Sequence, residues 1–321
     1  MLAEGRRLIM DIALPRRTSP AILFPALVGL TAFQLYYVWL GGFGPGYLHS
    51  VAYSTIERPY VYRALLPILS RSAEWLTGIP AVSWLIVFVV ACGVGLYYAL
   101  RYLARAFYPR RAELAAFAGT EVFFLLILVS PHPYDVATGF LFALAFGLLA
   151  HGKYTSYAVI FLLATLNRET TFLLILFFVI CYWRRMAVRD YAVMLAYQIA
   201  AFAVVQGSLR YIFIDHPGTS ADFQPLHNLG VYAGAPVSTL ALLTLFAVTL
   251  YFVRRGWQGK PLFLRTAFVL LFPLQVALHL TLGGAFEIRV YAEVFPVVWM
   301  LMLPLSKIES RSKNVGKNIS L

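Results

Sequence analysis

About ten apolar runs, separated by turns that alternate between arginine-rich and nearly cation-free, divide the chain from end to end. With 61% hydrophobic and 12% charged residues and a mean hydropathy of +0.76, the 321 residues carry more apolar surface than a soluble core of that length can bury. The expected fold is therefore all-α, a polytopic transmembrane helical bundle of about ten spans, several of them short or broken. Of the 26 Lys and Arg, all but Arg58, Arg63, Arg71, Arg168, Arg210 and Arg289 fall on one side. Retention of basic loops makes that side cytoplasmic. The opposite side holds those six arginines and more than half of the 14 acids. The net charge of +12 is spread over short loops and both tails, so it reads as topology signal and contact with lipid headgroups, not as a nucleic-acid surface. Cys92 and Cys181 both lie in apolar runs, which supports neither a disulfide framework nor a cysteine metal cage.

One membrane domain accounts for residues 1–321, integral to the cell (inner) membrane with both termini inside. Its parts are a cytoplasmic tail (1–20), a first outer loop (41–80) and a second cytoplasmic tail (306–321). Arg6, Arg7, Arg16 and Arg17 precede the first span (21–40) with no small-residue cleavage site after it, the pattern of a signal anchor. In the first outer loop Tyr62, Leu65, Leu66, Leu69, Ala73 and Leu76 recur at helical spacing, with Arg63, Ser70, Arg71 and Glu74 on the other face. This predicts an amphipathic helix in the outer interface, bent at Pro67. Further spans are expected at 81–100, 115–130, 136–150, 191–211, 236–253, 267–282 and 294–305. Between them, 154–166 and 171–183 predict a hairpin tipped by Asn167-Arg168-Glu169-Thr170. A single long helix would instead carry Arg184, Arg185 and Arg189 to the outer side and reverse every later loop.

Arms of about 20 to 24 Å leave their polar turns below the outer surface, where polar backbone persists only against protein or a wet cavity. Four such stretches are expected to line one outward hollow: Glu57 with Arg58 and Arg63; His132 and Asp135; Arg168 and Glu169; and Glu287, Arg289 and Glu293. Guanidinium groups grip phosphate through paired hydrogen bonds, which makes Arg58, Arg63, Arg168 and Arg289 candidates for an anionic ligand. Tyr60 stands between two of these cations. Carboxylates supply general bases or ligands for a divalent cation, and His132 or Asp135 fits either role. Plainer readings attach to the same residues: headgroup contacts, structural ion pairs such as Arg289 with Glu293, or a turn chosen for its prolines. Gln275 and His279 read as interhelical hydrogen bonding. No Gly-rich phosphate loop, GxSxG elbow or HExxH occurs, which removes support for soluble-type NTPase, hydrolase and zinc-protease chemistry.

With Glu57 beside the interfacial helix, short broken spans and an outward site, the chain resembles the GT-C superfamily of integral membrane glycosyltransferases. The phrases RPYVYRALLP, LNRETT and FEIRVYAEVFP also resemble stretches of bacterial membrane proteins of this group, although the first outer loop has no DxD pair. The resemblance implies transfer of a sugar from a polyprenyl-phosphate donor to a lipid or glycan acceptor at the extracytoplasmic face. Glu57, Asp135 and Glu169 are then the catalytic candidates. Arg58, Tyr60, Arg63, His132, Arg168, Glu287, Arg289 and Glu293 bind substrate, with a divalent cation (Mg or Mn) as an optional cofactor. The rival from another class is a transporter or flippase for a lipid-linked or anionic substrate, for which Glu121 would be an ionisable group midway across. A noncatalytic scaffold is the third reading.

Overall fold

The computed structural model describes residues 45–127, 132–219 and 223–304, and among these the chain forms 12 α-helices and no strand. The span expected at 21–40 and the tails 1–20 and 306–321 lie outside the described residues.

A short helix, α1 (Pro45–Ala52), and a 3-10 turn (Tyr60–Tyr62) lead into α2 (Leu65–Thr77), the helix expected in the first outer loop. It differs from expectation in two ways. Pro67 is the third residue of α2, in the first turn where no N–H is needed, so it starts the helix instead of bending it. Burial also follows its length more than one face: Leu65, Leu66, Pro67 and Ser70 near its start are buried, while Ile68, Leu69, Arg71, Trp75 and Leu76 face outward. Gly78 ends α2 in the left-handed conformation (φ +72°), and its N–H donates to the Glu74 carbonyl at 2.8 Å.

Next, α3 (Ala81–Phe107) runs beyond its apolar segment because Glu113 takes up the charges that follow. Arg101 Nε donates to Glu113 Oε1 at 2.5 Å, and Tyr97 Oη to Oε2 at 2.8 Å. α4 (Ala112–Ile127) returns, and α5 (Pro133–Ala150) then packs along α3 in the same direction, with Gly95 against Phe140 and Gly147 against Tyr102. The two helices approach closely because these positions have no side chain.

The broken span is a hairpin. α6 (Tyr154–Asn167) stops at Arg168, whose backbone is extended, and a 3-10 turn (Glu169–Thr171) starts α7 (Phe172–Tyr182). Ring contacts of Tyr154 with Tyr182 (5.8 Å) and Tyr157 with Phe178 (6.3 Å) place the start of one arm beside the end of the other. Arms of about 21 and 17 Å are each shorter than a hydrocarbon core of roughly 30 Å.

α8 (Val188–Ile212) runs alongside α6, bonded by Tyr157 Oη to Gln198 Oε1 (2.8 Å) and Gln206 Nε2 to the Thr165 carbonyl (2.7 Å). α9 (Pro225–Gly234), α10 (Pro236–Arg254), α11 (Leu262–Leu282) and α12 (Phe295–Met302) complete the described chain. Five of these helices, α3, α5, α8, α10 and α11, are long and apolar enough to cross a membrane. The other apolar helices are shorter: α4 has 16 residues, α6 14, α7 11 and α12 8.

Directions alternate so that the turns gather at two ends. One end collects 53–64, 132–135, 167–171, 213–219 and 283–293. The other collects the arginine-rich turns after α3, α7 and α10. Between them the interior is filled by Phe123, Phe142, Phe146, Phe161 and Phe177, each nearly inaccessible.

Candidate active site

Pro133 starts α5 with its fixed φ, and this sets Asp135 in the first turn, where the helix dipole favours a carboxylate. Asp135 is completely buried. Its two oxygens receive two arginines from distant turns: Arg168 Nη1 donates to Oδ1 at 3.0 Å and Arg289 Nη1 to Oδ2 at 3.3 Å. Each arginine reaches a second acid. Arg289 Nη2 donates to Glu287 Oε1 at 3.0 Å, and Arg168 Nε lies 3.1 Å from Glu293 Oε1, which also accepts from Thr170 Oγ1 at 2.5 Å.

The same tip carries a third pair. Arg63 Nη2 stands 3.7 Å from Glu169 Oε1, and the guanidinium lies 4.2 Å over the Tyr134 ring and 5.1 Å from that of Tyr60. Tyr60, His132 and Tyr134 stack on one another with centroids 5.2 to 6.3 Å apart, and Tyr47 Oη bonds His132 Nδ1. Stacking orients Arg63 and adds a cation–π attraction.

Three guanidinium groups and four carboxylates thus share one buried network, a burden tolerable only because each charge faces an opposite one. Its middle is dry, since Asp135 and Glu293 are wholly buried, and its edges are not: Glu169 and Glu287 remain about 30% exposed. Burial alone would raise the Glu287 carboxyl, but the Arg289 guanidinium outweighs it and holds the group below the usual carboxylate range. Several buried atoms have no hydrogen-bond partner among the described residues: Nε and Nη1 of Arg63, Nε of Arg289, and one oxygen each of Glu169 and Glu293.

Two hollows flank the network. One, of about 460 Å³, is lined by Tyr47, Ser50, Thr55, Glu57, Tyr60 and His132; the other, of about 350 Å³, by Gln224, His227, Asn228, Gly284 and Glu287. Gln275 Nε2 donates to the Val290 carbonyl, while His279 meets Tyr291 Oη and the Gly284 carbonyl at 2.9 Å each. These bonds hold the 283–291 segment that presents Glu287 and Arg289.

Of the residues singled out from sequence, Asp135, Arg168, Glu169, Arg63, Glu287, Arg289 and Glu293 come together in the network. Tyr60 and His132 stack at its edge, and Glu57 is exposed on the wall of the larger hollow. Arg58 stands apart. Its Nη1 and Nη2 donate to the carbonyls of Ile214 (3.0 Å) and Gly218 (2.6 Å), and its backbone N–H to that of Pro217 (2.8 Å), so it fastens one loop to another. Gly218, at φ +93°, has no room for a side chain there, because a Cβ would lie 2.6 Å from the Arg58 carbonyl oxygen.

Sequence reasoning passed over Tyr134, Thr170 and Asn167. The last sends Nδ2 to Thr138 Oγ1 (2.9 Å) and the Tyr134 carbonyl (3.2 Å), bracing the hairpin tip against α5. All three sit inside the polar turns already marked, PHPYD and NRET. Among the described residues no three His, Cys, Asp or Glu side chains group as a metal cage requires, so the residues present do not fit a protein-held divalent cation. No family model matches the chain, and neither a curated protein nor a solved structure matches it.

Proposed function

We propose that the protein is a membrane glycosyltransferase that moves a sugar from a polyprenyl-phosphate donor to a lipid or glycan acceptor at the site end of the bundle, the extracytoplasmic face in the charge-bias topology. The observation that carries this reading is the edge of the network. Among the described residues Arg63 there finds no acceptor for two buried N–H donors, and Glu169 beside it finds no donor for one carboxylate oxygen. A ligand that offers an anionic oxygen and hydroxyl groups together, as a phosphosugar does, satisfies both.

In the transfer, an acceptor hydroxyl attacks the anomeric carbon and the bond from that carbon to the phosphate oxygen breaks. The bonding electrons leave on the phosphate, where Arg63 meets the charge. The acceptor proton passes to a carboxylate. Glu57, which lines the larger hollow, takes this role in the proposal, whereas both oxygens of Asp135 are occupied by arginines. Asp135 therefore serves to hold Arg168 and Arg289 in place. The aromatic filling below the network favours a site open on one side over a conduit for transport.

Binding tests the reading before any acceptor is known. Purified protein in nanodiscs should take up fluorescent polyprenyl-phosphate hexose or pentose, and Arg63→Ala, at the edge, should weaken uptake at least tenfold while the protein stays folded. Equal uptake by wild type and Arg63→Ala would remove Arg63 and the edge from the mechanism.

A further inference from the structure

The opposite end of the bundle contains a groove of about 810 Å³ between the end of α10 and the first turns of α11. Leu250, Val253, Phe268 and Val269 form its apolar wall, and Arg254 and Trp257 stand on the turn that closes it. Arg265 places its guanidinium 5.9 Å from the Trp257 ring, with a buried Nε that has no acceptor among the described residues.

Charge sets this region apart. From residue 236 to 286 the sequence contains no Asp or Glu, so Arg254, Arg255, Lys260 and Arg265 have no acid on their own helices or turn. None of the four forms a salt bridge among the described residues. Lys260 is buried and already committed, donating to the Phe252 carbonyl at 3.1 Å and to that of Leu301. Among the described residues Arg254, Arg255 and Arg265 meet no acid, and only Arg265 has a ring beside it. Neither tail fits by charge, because residues 305–321 carry Lys307, Arg311, Lys313 and Lys317 against Glu309, and residues 1–20 carry four arginines against Glu4 and Asp11.

An inorganic anion would neutralise the arginines and leave the apolar wall uncovered. A lipid with an anionic phosphate does both, since its chains lie along Leu250, Val253 and Val269 while its headgroup meets the guanidinium groups. Trp257 sits at the boundary, where indole rings prefer to lie. Basic pockets between membrane helices bind anionic headgroups in this manner. We propose that the groove between α10 and α11 is a binding site for an anionic phospholipid of the leaflet at the basic end, separate from the buried network.

Native mass spectrometry of the purified full chain, titrated with phosphatidylglycerol or phosphatidylcholine, tests this. Wild type should retain phosphatidylglycerol in preference. Arg254→Gln with Arg265→Gln should weaken that retention about 25-fold, roughly fivefold for each arginine, as expected at about 1 kcal/mol per cation at a membrane surface. Arg184→Gln with Arg185→Gln, which alters another turn at the same end, should leave it unchanged. Arg254 is exposed, so Arg254→Gln alone tolerates any folding defect of the double variant and should still lose about fivefold, while Arg254→Lys keeps the lipid. Equal retention of both lipids, an unaltered Arg254→Gln, or the same loss in the Arg184 and Arg185 control would overturn the proposal; the last outcome would mean diffuse surface attraction only.

Discussion

Arg63, Arg168 and Arg289, at one end of the bundle, are 3 to 6% exposed and each faces a carboxylate, whereas Arg254 and Arg255, at the other, are exposed and meet none among the described residues. The difference shows what arginine does in each place. At the basic end it is exposed, where solvent or headgroups would solvate it without help from the protein. At the site end it lies below the surface between short helices, where solvation must come from the protein. Asp135, Glu169, Glu287 and Glu293 provide it. Burying four acids and three cations is not a cheap way to stabilise a membrane protein, because apolar packing of the same volume does as well or better.

The first way to break the comparison is to remove the carboxylate that two arginines share. Asp135→Ala should cost about 3–5 kcal/mol and lower the melting temperature of the purified protein sharply, because it strands Arg168 and Arg289 without their common partner. Arg254→Gln should shift stability by no more than about 0.5 kcal/mol. Similar melting shifts in the two variants would erase the distinction between the ends.

A smaller effect comes from pH. Arg289 depresses the Glu287 carboxyl in the folded protein, so the stabilisation from that pair is fully present above the unfolded carboxylate range. It is lost as pH falls through the depressed folded value. Melting curves taken from neutral pH into acid should therefore decline, and Glu287→Gln should be less stable at neutral pH with a shallower decline. An identical acid profile for wild type and Glu287→Gln would show that the pair contributes nothing.

Much of this architecture was legible in the sequence, for identifiable reasons. The hairpin at Asn167-Arg168-Glu169-Thr170 followed from the need to keep Arg184, Arg185 and Arg189 on the side of Lys153, and the antiparallel contacts of Tyr154 with Tyr182 agree. The shortness of both hairpin arms was legible in the length of their apolar runs. The pairing inside the site did not, because which carboxylate meets which guanidinium depends on how α5, the hairpin and the 283–293 segment are rotated against each other. Asp135 and Glu287 both reach Arg289 from positions that no periodicity connects. Arg58 was misleading for a related reason: a cation in an outer loop has the same appearance in sequence whether it grips a ligand or, as here, the carbonyls of Ile214 and Gly218. The exposure of the second half of α2 was missed because periodicity identifies an apolar face without saying how much of its length packs against protein. The extension of α3 past its apolar run depended on Glu113, a partner from the next helix.

The central claim is that the buried network is the working part of a glycosyl transfer, and transfer itself is its most direct measurement. Purified protein in nanodiscs, given polyprenyl-phosphate sugars labelled in the sugar and a membrane glycolipid extract, should move label to the acceptor fraction and release polyprenyl phosphate in equal amount. Arg63→Ala and Glu57→Gln should reduce the rate at least a hundredfold, while Arg254→Gln stays near wild type. Folded protein that binds no donor and moves no label across hexose and pentose donors, or undiminished transfer by Arg63→Ala, would contradict the account.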